Sequence, residues 1–155
     1  MYVLARHDTA YETLAKRLRA MIFLATPHRG SDSAQQLSNI LKASLPHGSK
    51  AYVGDLEPGS GALQSINEDF RHYSNDVQIR SFYETLKTQI GMTSTLIVDR
   101  ESATLGYPNE KSALLNASHR TICKFEAPSD PNYITLRNSI VSCVEETVKS
   151  SKSRQ

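Results

Sequence analysis

An apolar run that turns abruptly into a polar loop, at residues 21–31, most constrains what this chain can fold into. Residues 21–25 are all apolar and show no polar alternation, which is typical of a strand covered on both faces in a parallel sheet between helices. Pro27 and Gly30 then interrupt the strand. Ligands of open α/β sheets bind beyond the carboxyl ends of the strands. We therefore expect this loop to border a functional site.

The rest of the chain alternates between helical and extended patterns. Three- and four-residue apolar spacing predicts helices over residues 2–20, 34–45 and 63–70, and a further short helix near residues 110–115. Runs rich in β-branched and aromatic residues predict strands over residues 77–83 and 95–98.

The last helix has the clearest start signal. Asp130 is a good N-cap, and Pro131 stands at the first helical position. Its apolar stripe consists of Tyr133, Leu136, Ile140, Val144 and Val148. Helices between apolar strands predict an α/β fold with a mostly parallel sheet and flanking helices. Only three strands are visible, fewer than the five or six of an average sheet.

Composition is that of an ordinary soluble globular protein. The 155 residues carry a formal net charge of +2, and their basic residues form no stripe, so neither a nucleic-acid surface nor a membrane span is expected. Cys123 and Cys143 form no disulfide framework and no zinc motif, and the first eight residues lack the apolar core that a signal peptide needs. We expect a cytoplasmic protein with no cofactor and no metal. Residues 149–155 are predicted to be a disordered polar tail.

Polar residues that can carry chemistry follow the predicted strands. His119 lies in a non-periodic loop and is a candidate general base, because imidazole titrates near neutral pH. Glu84 directly follows a strand and can orient that imidazole. Asp99 and Glu101 follow the next predicted strand and remain alternative acids.

Four blocks, in this order, carry a resemblance to a known family: residues 23–31 (FLATPHRGS), 81–85 (SFYET), 97–103 (IVDRESA) and 119–125 (HRTICKF). They resemble the second half of a lipase-like serine-hydrolase domain with the α/β-hydrolase fold. Such domains stand at the N-terminus of many fungal NACHT-type (NOD-like) receptor proteins and in phosphatidylglycerol-remodelling relatives. The resemblance covers residues 1–148.

The resemblance implies a role for each matching residue. His119 corresponds to the triad histidine, and Glu84 fits the usual position of the triad acid, with Asp99 and Glu101 as alternatives. The implied active-site loop consists of Thr26, Pro27, His28, Gly30 and Ser31.

The departure from the family concerns the nucleophile. The family places its serine in a GxSxG elbow, and this sequence contains no such pentapeptide. The resemblance therefore implies a partial α/β-hydrolase fold, without the N-terminal strands, the nucleophile elbow or the oxyanion hole.

Two functions follow as expectations. The first is a fragment of a carboxylic-ester hydrolase domain that is inactive alone and that would act on an ester or lipid substrate if the missing half were supplied. The second is a non-catalytic interaction module in fungal NOD-like receptor-type signalling, which binds a protein partner through an open sheet edge.

Overall fold

The computed structural model describes residues 2–29 and 61–152. In these ranges the helices are α1 (Tyr2–His7), α2 (Thr9–Arg17), α3 (Gly61–Tyr73), α4 (Arg100–Ala103) and α5 (Pro131–Lys152), with a 3-10 turn at Ser74–Asp76. The strands in the same ranges are β1 (Ala20–Leu24), β2 (Gln78–Glu84), β3 (Thr88–Ile90), β4 (Thr93–Thr95) and β5 (Glu110–Leu115). The helix predicted over residues 34–45 lies outside the described residues, as do Gly30 and Ser31 of the predicted loop.

The main sheet has three parallel strands in the order β1-β2-β5. Ala20 of β1 pairs with Gln78 of β2, and Glu84 at the end of β2 pairs with Leu115 of β5. The strands β3 and β4 form a separate antiparallel hairpin. The predicted α/β class with a mostly parallel sheet is therefore confirmed. The carboxyl ends of β2 and β5 lie side by side, which brings the segments that follow them together.

Apolar residues pack on both faces of the sheet. One cluster contains Phe82 and Leu115, with Leu136 of α5 packed against it. The other contains Ile79 and Phe70, the latter from α3. Because successive residues of a strand point to opposite faces, Ile79 and Phe82 belong to different sides. Helices thus cover β2, the central strand, from both directions.

Two predictions of strands and helices near the site were wrong. Residues 110–115 form β5 rather than a short helix, because pairing with β2 decides their conformation. Of the strand predicted over residues 95–98, only Thr95 lies in a strand, as the last residue of β4. Ile97 and Val98 are buried but lie in a loop.

The predicted helix ends were partly right. Residues 2–20 form two helices, because Asp8 adopts an extended conformation and its side chain accepts a hydrogen bond from the Ala10 backbone (2.8 Å). Asp130 caps α5 as predicted, accepting from the Asn132 backbone at 2.8 Å. The helix α5 continues to Lys152, so residues 149–152 of the predicted tail are helical, and residues 153–155 lie outside the described range.

The helix α5 does not bury the whole stripe that its sequence predicts. Tyr133 and Leu136 are half-buried, whereas Ile140, Val144 and Val148 are exposed. The carboxyl-terminal half of the helix instead turns polar residues to the sheet. Its Glu146 binds the buried Arg80 guanidinium of β2 at 3.0 Å.

Further polar contacts surround this ion pair. Lys111 of β5 also binds Glu146 (2.8 Å), and the Gln78 side chain donates to the Cys143 carbonyl (3.1 Å) and accepts from Arg80 (3.1 Å). The two cations hold the pKa of Glu146 at about 2, below its ordinary 4.5, with the Lys111 hydrogen bond as the main cause. The end of α5 is therefore held to the sheet by charge rather than by apolar packing.

We expect the two partners of this ion pair to respond differently to substitution. Glu146→Ala leaves the buried Arg80 charge without its carboxylate, so it should lower the free energy of unfolding by about 2 kcal/mol. Arg80→Met replaces the cation by an apolar side chain of similar length, so the loss should stay within about 1 kcal/mol. Urea denaturation of both variants measures the difference. If Arg80→Met lowered the free energy of unfolding as much as Glu146→Ala, the loss in Glu146→Ala could not be assigned to an unpaired buried charge on Arg80.

Candidate active site

The site is built around Glu84, the last residue of β2. Its side chain is completely buried. One carboxylate oxygen, Oε1, accepts hydrogen bonds from the backbone N–H groups of Ile97 and Val98. A buried carboxylate is costly unless donors compensate its charge. The loop that replaces the predicted strand at residues 95–98 supplies two of those donors.

His119 supplies the third donor. Its Nδ1 lies 3.1 Å from the second carboxylate oxygen of Glu84, Oε2. The ring stands in the turn after β5, where the Thr121 and Ile122 backbone N–H groups both donate to the Ser118 carbonyl (2.9 Å each). The side chain of His119 is 26% exposed. The turn therefore holds an imidazole that the buried acid orients and that solvent can still reach.

The contact between Glu84 and His119 determines the tautomer of the imidazole. An ionised carboxylate only accepts hydrogen bonds, so the proton of a neutral His119 ring is on Nδ1. The other ring nitrogen, Nε2, then presents its lone pair and forms no hydrogen bond with any of the described residues. This is the arrangement of a general base whose acid partner also stabilises the imidazolium that forms.

The two alternative acids make other contacts. Asp99 caps α4, and its side chain accepts from the Ser102 backbone at 2.7 Å. Glu101 has an 85% exposed side chain and lies 3.8 Å from the Arg29 guanidinium. The structure therefore brings His119 together with Glu84, whereas Asp99 and Glu101 each have a different role.

The predicted loop after β1 is described as far as Arg29. Thr26 and Pro27 are half-buried. His28 is buried with its ring edge-on to Phe23, with centroids 4.5 Å apart, and its backbone N–H donates to the Ser102 carbonyl at 2.8 Å. Burial lowers the pKa of His28 to about 4, against a smaller opposing effect of Glu110. His28 is therefore a neutral brace of its own turn at physiological pH.

Ala25, which the sequence did not single out, joins β1 to this loop. It is buried and has a φ of 44°, the left-handed region that non-glycine residues rarely adopt. Its backbone N–H donates to the Phe82 carbonyl (2.8 Å). This contact holds the conformation, which redirects the chain as it leaves the sheet. Alanine gives no sequence signal for such a turn.

Two kinds of feature are absent from the described residues. Within residues 2–29 and 61–152, no three His, Cys, Asp or Glu side chains cluster in a way that could hold a metal ion. In the same part of the chain, no helix is both long enough and apolar enough to cross a membrane.

Substitutions of Glu84 should separate its charge from its hydrogen bonds. Glu84→Ala leaves the N–H groups of Ile97 and Val98 and the His119 ring without their acceptor, so the free energy of unfolding should fall by about 3 kcal/mol. Glu84→Gln keeps one acceptor oxygen and should cost about 1 kcal/mol. Urea denaturation measures both. Glu145→Ala, an exposed carboxylate on α5, is the control and should change stability by less than about 0.5 kcal/mol.

The buried imidazole of His28 predicts a pH dependence of stability. The unfolded chain binds a proton at His28 near pH 6.5, whereas the folded chain does so near pH 4. The unfolded state therefore holds more protons between these values, and the free energy of unfolding should fall by about 3 kcal/mol as pH is lowered from 6.5 to 4. His28→Phe should remove this part of the slope in urea denaturation curves. An unchanged slope would show that His28 is not the group responsible.

Comparison with known proteins identifies no relative of this chain. Family models, characterised proteins and solved structures all give no match. The site itself consists of a buried carboxylate, an imidazole oriented by it and the turn after β1, all beyond the carboxyl ends of parallel strands.

Proposed function

We propose that this chain carries the acid and the base of a serine-hydrolase triad, on the second half of an α/β-hydrolase domain. The contact of 3.1 Å between Glu84 Oε2 and His119 Nδ1 carries this proposal. The acid is the last residue of the central strand β2, and the histidine follows the neighbouring strand β5. This is the chain order of acid and histidine in α/β-hydrolases.

Each residue of the pair has a defined chemical task. His119 Nε2 accepts the proton of a serine hydroxyl as that oxygen attacks an ester carbonyl, and then returns the proton to the leaving alcohol. Glu84 keeps Nδ1 protonated and stabilises the transient imidazolium. The N–H groups of Ile97 and Val98 hold Glu84 in place, so the ring does not need to reorient during the reaction.

The position of β1 supports a nucleophile supplied beside it. Among the described strands β1 pairs only with β2, so its other edge is open for a further parallel strand. Such a strand would lie about 10 Å from β2, two strand spacings away. A serine beyond the carboxyl end of that added strand would lie at the same end of the sheet as His119. The imidazole would then stand between the serine and Glu84.

The substrate class is the carboxylic esters, including lipid esters, that the resemblance implies. The sequence contains no GxSxG pentapeptide. We therefore expect no esterase turnover from these 155 residues without an added nucleophile, because the attacking group and the oxyanion donors are both needed.

A second candidate function is a non-catalytic interaction module, as in fungal NOD-like receptor-type signalling. Exposed apolar side chains on α2 favour it. On α2, Tyr11 is 56% exposed and Leu14 is 67% exposed, three residues apart on one side of the helix. Exposed apolar residues of this kind are typical of a surface that a partner covers, and the β1 edge that pairs with no described strand is a second such surface.

Complementation of the nucleophile tests the first function against the second. The chain is joined to a segment that carries a strand and a GxSxG elbow, and hydrolysis of a p-nitrophenyl ester is measured. We expect turnover that falls roughly 10³- to 10⁴-fold in His119→Ala and in Glu84→Gln, because each removes one member of the triad.

His72→Ala is the matched control, since His72 is an exposed histidine on α3. It should leave turnover unchanged. A complemented chain that folds but hydrolyses no ester, or whose activity survives His119→Ala, would overturn the hydrolase assignment and favour the interaction module.

A further inference from the structure

A cavity of about 830 Å³ lies at the other end of the parallel sheet from Glu84 and His119. Gln78 and Lys111, at the start of β2 and β5, form part of its wall, together with residues of α1, α2 and α5. Small organic ligands commonly occupy cavities of roughly 300–1,000 Å³. The cavity therefore has room for such a molecule and is separate from the candidate active site.

The wall of this cavity is strongly cationic. Among the described residues of the wall, five side chains are positively charged and two are negatively charged. The cations are Arg6, Lys16, Arg19, Arg80 and Lys111, and the anions are Asp76 and Glu146. The surplus of three positive charges exceeds the formal net charge of the entire chain, which is +2. Positive charge is thus concentrated at this one concave surface, where walls of low dielectric strengthen its effect on an anion.

The two carboxylates of the wall are already engaged. Asp76 binds the Arg6 guanidinium at 2.9 Å, which joins the 3-10 turn to α1. Glu146 lies between Arg80 (3.0 Å) and Lys111 (2.8 Å). Among the described residues of the wall, these ion pairs leave no carboxylate to neutralise the other cations.

Arg19 is the cation with the least compensation. Its side chain is exposed, and within the described part of the chain no group forms a hydrogen bond or ion pair with its guanidinium. Its backbone carbonyl accepts from the Gln78 N–H at 2.8 Å, which holds it at the start of β2. Lys16 binds Glu12 at 2.8 Å, and Glu12 is not part of the wall. A guanidinium presents several donors in one plane, a geometry that fits the oxygens of a phosphate.

We propose that this cavity binds a phosphorylated small molecule, with its phosphate groups held by Arg19, Lys16 and Lys111. A phosphomonoester carries roughly 1.5 to 2 negative charges at neutral pH. Glu12 binds Lys16 from outside the wall and reduces the surplus of three positive charges to two, so one such group matches the charge that remains. Arg80 supports the site indirectly. Its buried charge holds Glu146 in position, and Glu146 in turn holds Lys111.

Calorimetric titration of the 155-residue chain with pyrophosphate and with inorganic phosphate tests this proposal. At a constant ionic strength of about 0.15 M, where long-range attraction is screened, pyrophosphate should bind saturably and more tightly than inorganic phosphate. Arg19→Gln should weaken pyrophosphate binding about tenfold, through the loss of a charge-assisted hydrogen bond.

Arg17→Gln is the matched control. It removes the same charge two residues away, at the end of α2, from a side chain that is exposed and not part of the wall. It should leave binding unchanged. Lys16→Gln gives a second measurement of the site if Arg19→Gln alters the thermal unfolding of the free chain.

Three results would overturn the proposal. The first is an absence of saturable pyrophosphate binding, and the second is an equal loss of affinity in Arg17→Gln and Arg19→Gln. The third is equally tight binding of sulfate or citrate, which would show attraction for any anion rather than a site for phosphate. None of these results bears on Glu84 and His119, whose hydrolytic function is tested by ester turnover.

Discussion

The burial of one negative charge, on Glu84, determines how three segments meet at the carboxyl end of the sheet. A carboxylate without exposure must receive donors from the protein, and its own strand supplies none. The backbone at Ile97 and Val98 and the ring of His119 provide them. The hairpin β3–β4 and the turn after β5 therefore have to converge on the end of β2. The same contacts that make the buried acid tolerable also orient the imidazole.

A buried positive charge near the start of β2 likewise determines how a neighbouring segment packs on the sheet. Arg80 lies within β2 with a side chain only 4% exposed, and Glu146 is its carboxylate partner. That requirement sets the rotation of α5, which turns Glu146 and Cys143 to the sheet and leaves Ile140 and Val144 exposed. The apolar stripe of α5 was a poor guide for this reason. Apolar periodicity shows which side of a helix is the more hydrophobic, whereas a single desolvated guanidinium can outweigh several exposed aliphatic side chains.

The local sequence pattern was enough to predict those elements whose conformation depends mainly on neighbouring residues. The apolar run before Pro27, the alternation after Val77 and the cap at Asp130 each predicted an element that the structure contains. The resemblance favoured Glu84 as the partner of His119 and left Asp99 and Glu101 as alternatives, and the structure places Glu84 against the ring. The secondary-structure predictions failed where a residue distant in the sequence determines the local conformation. Residues 110–115 include helix formers but form β5 because they pair with β2. Ile97 and Val98 have the sequence pattern of a strand, but their N–H groups donate to the Glu84 carboxylate instead. Gly91, with φ of 58°, stands in the turn of the hairpin β3–β4, a local glycine signal that none of the predictions above used.

Strand β2 links the two ends of the sheet and also separates them. Arg80 and Glu84 are four residues apart and point to the same face of the strand, about 13 Å apart along it. Phe82 lies between them, fully buried in the apolar cluster that includes Leu115. Each charge is satisfied by its own neighbours, so neither depends on the other for compensation. Groups at this separation without shared partners contribute almost independently to stability. The fold can therefore keep the Glu84–His119 pair beyond one end of the strand and a cationic cavity at the other without a compromise between them.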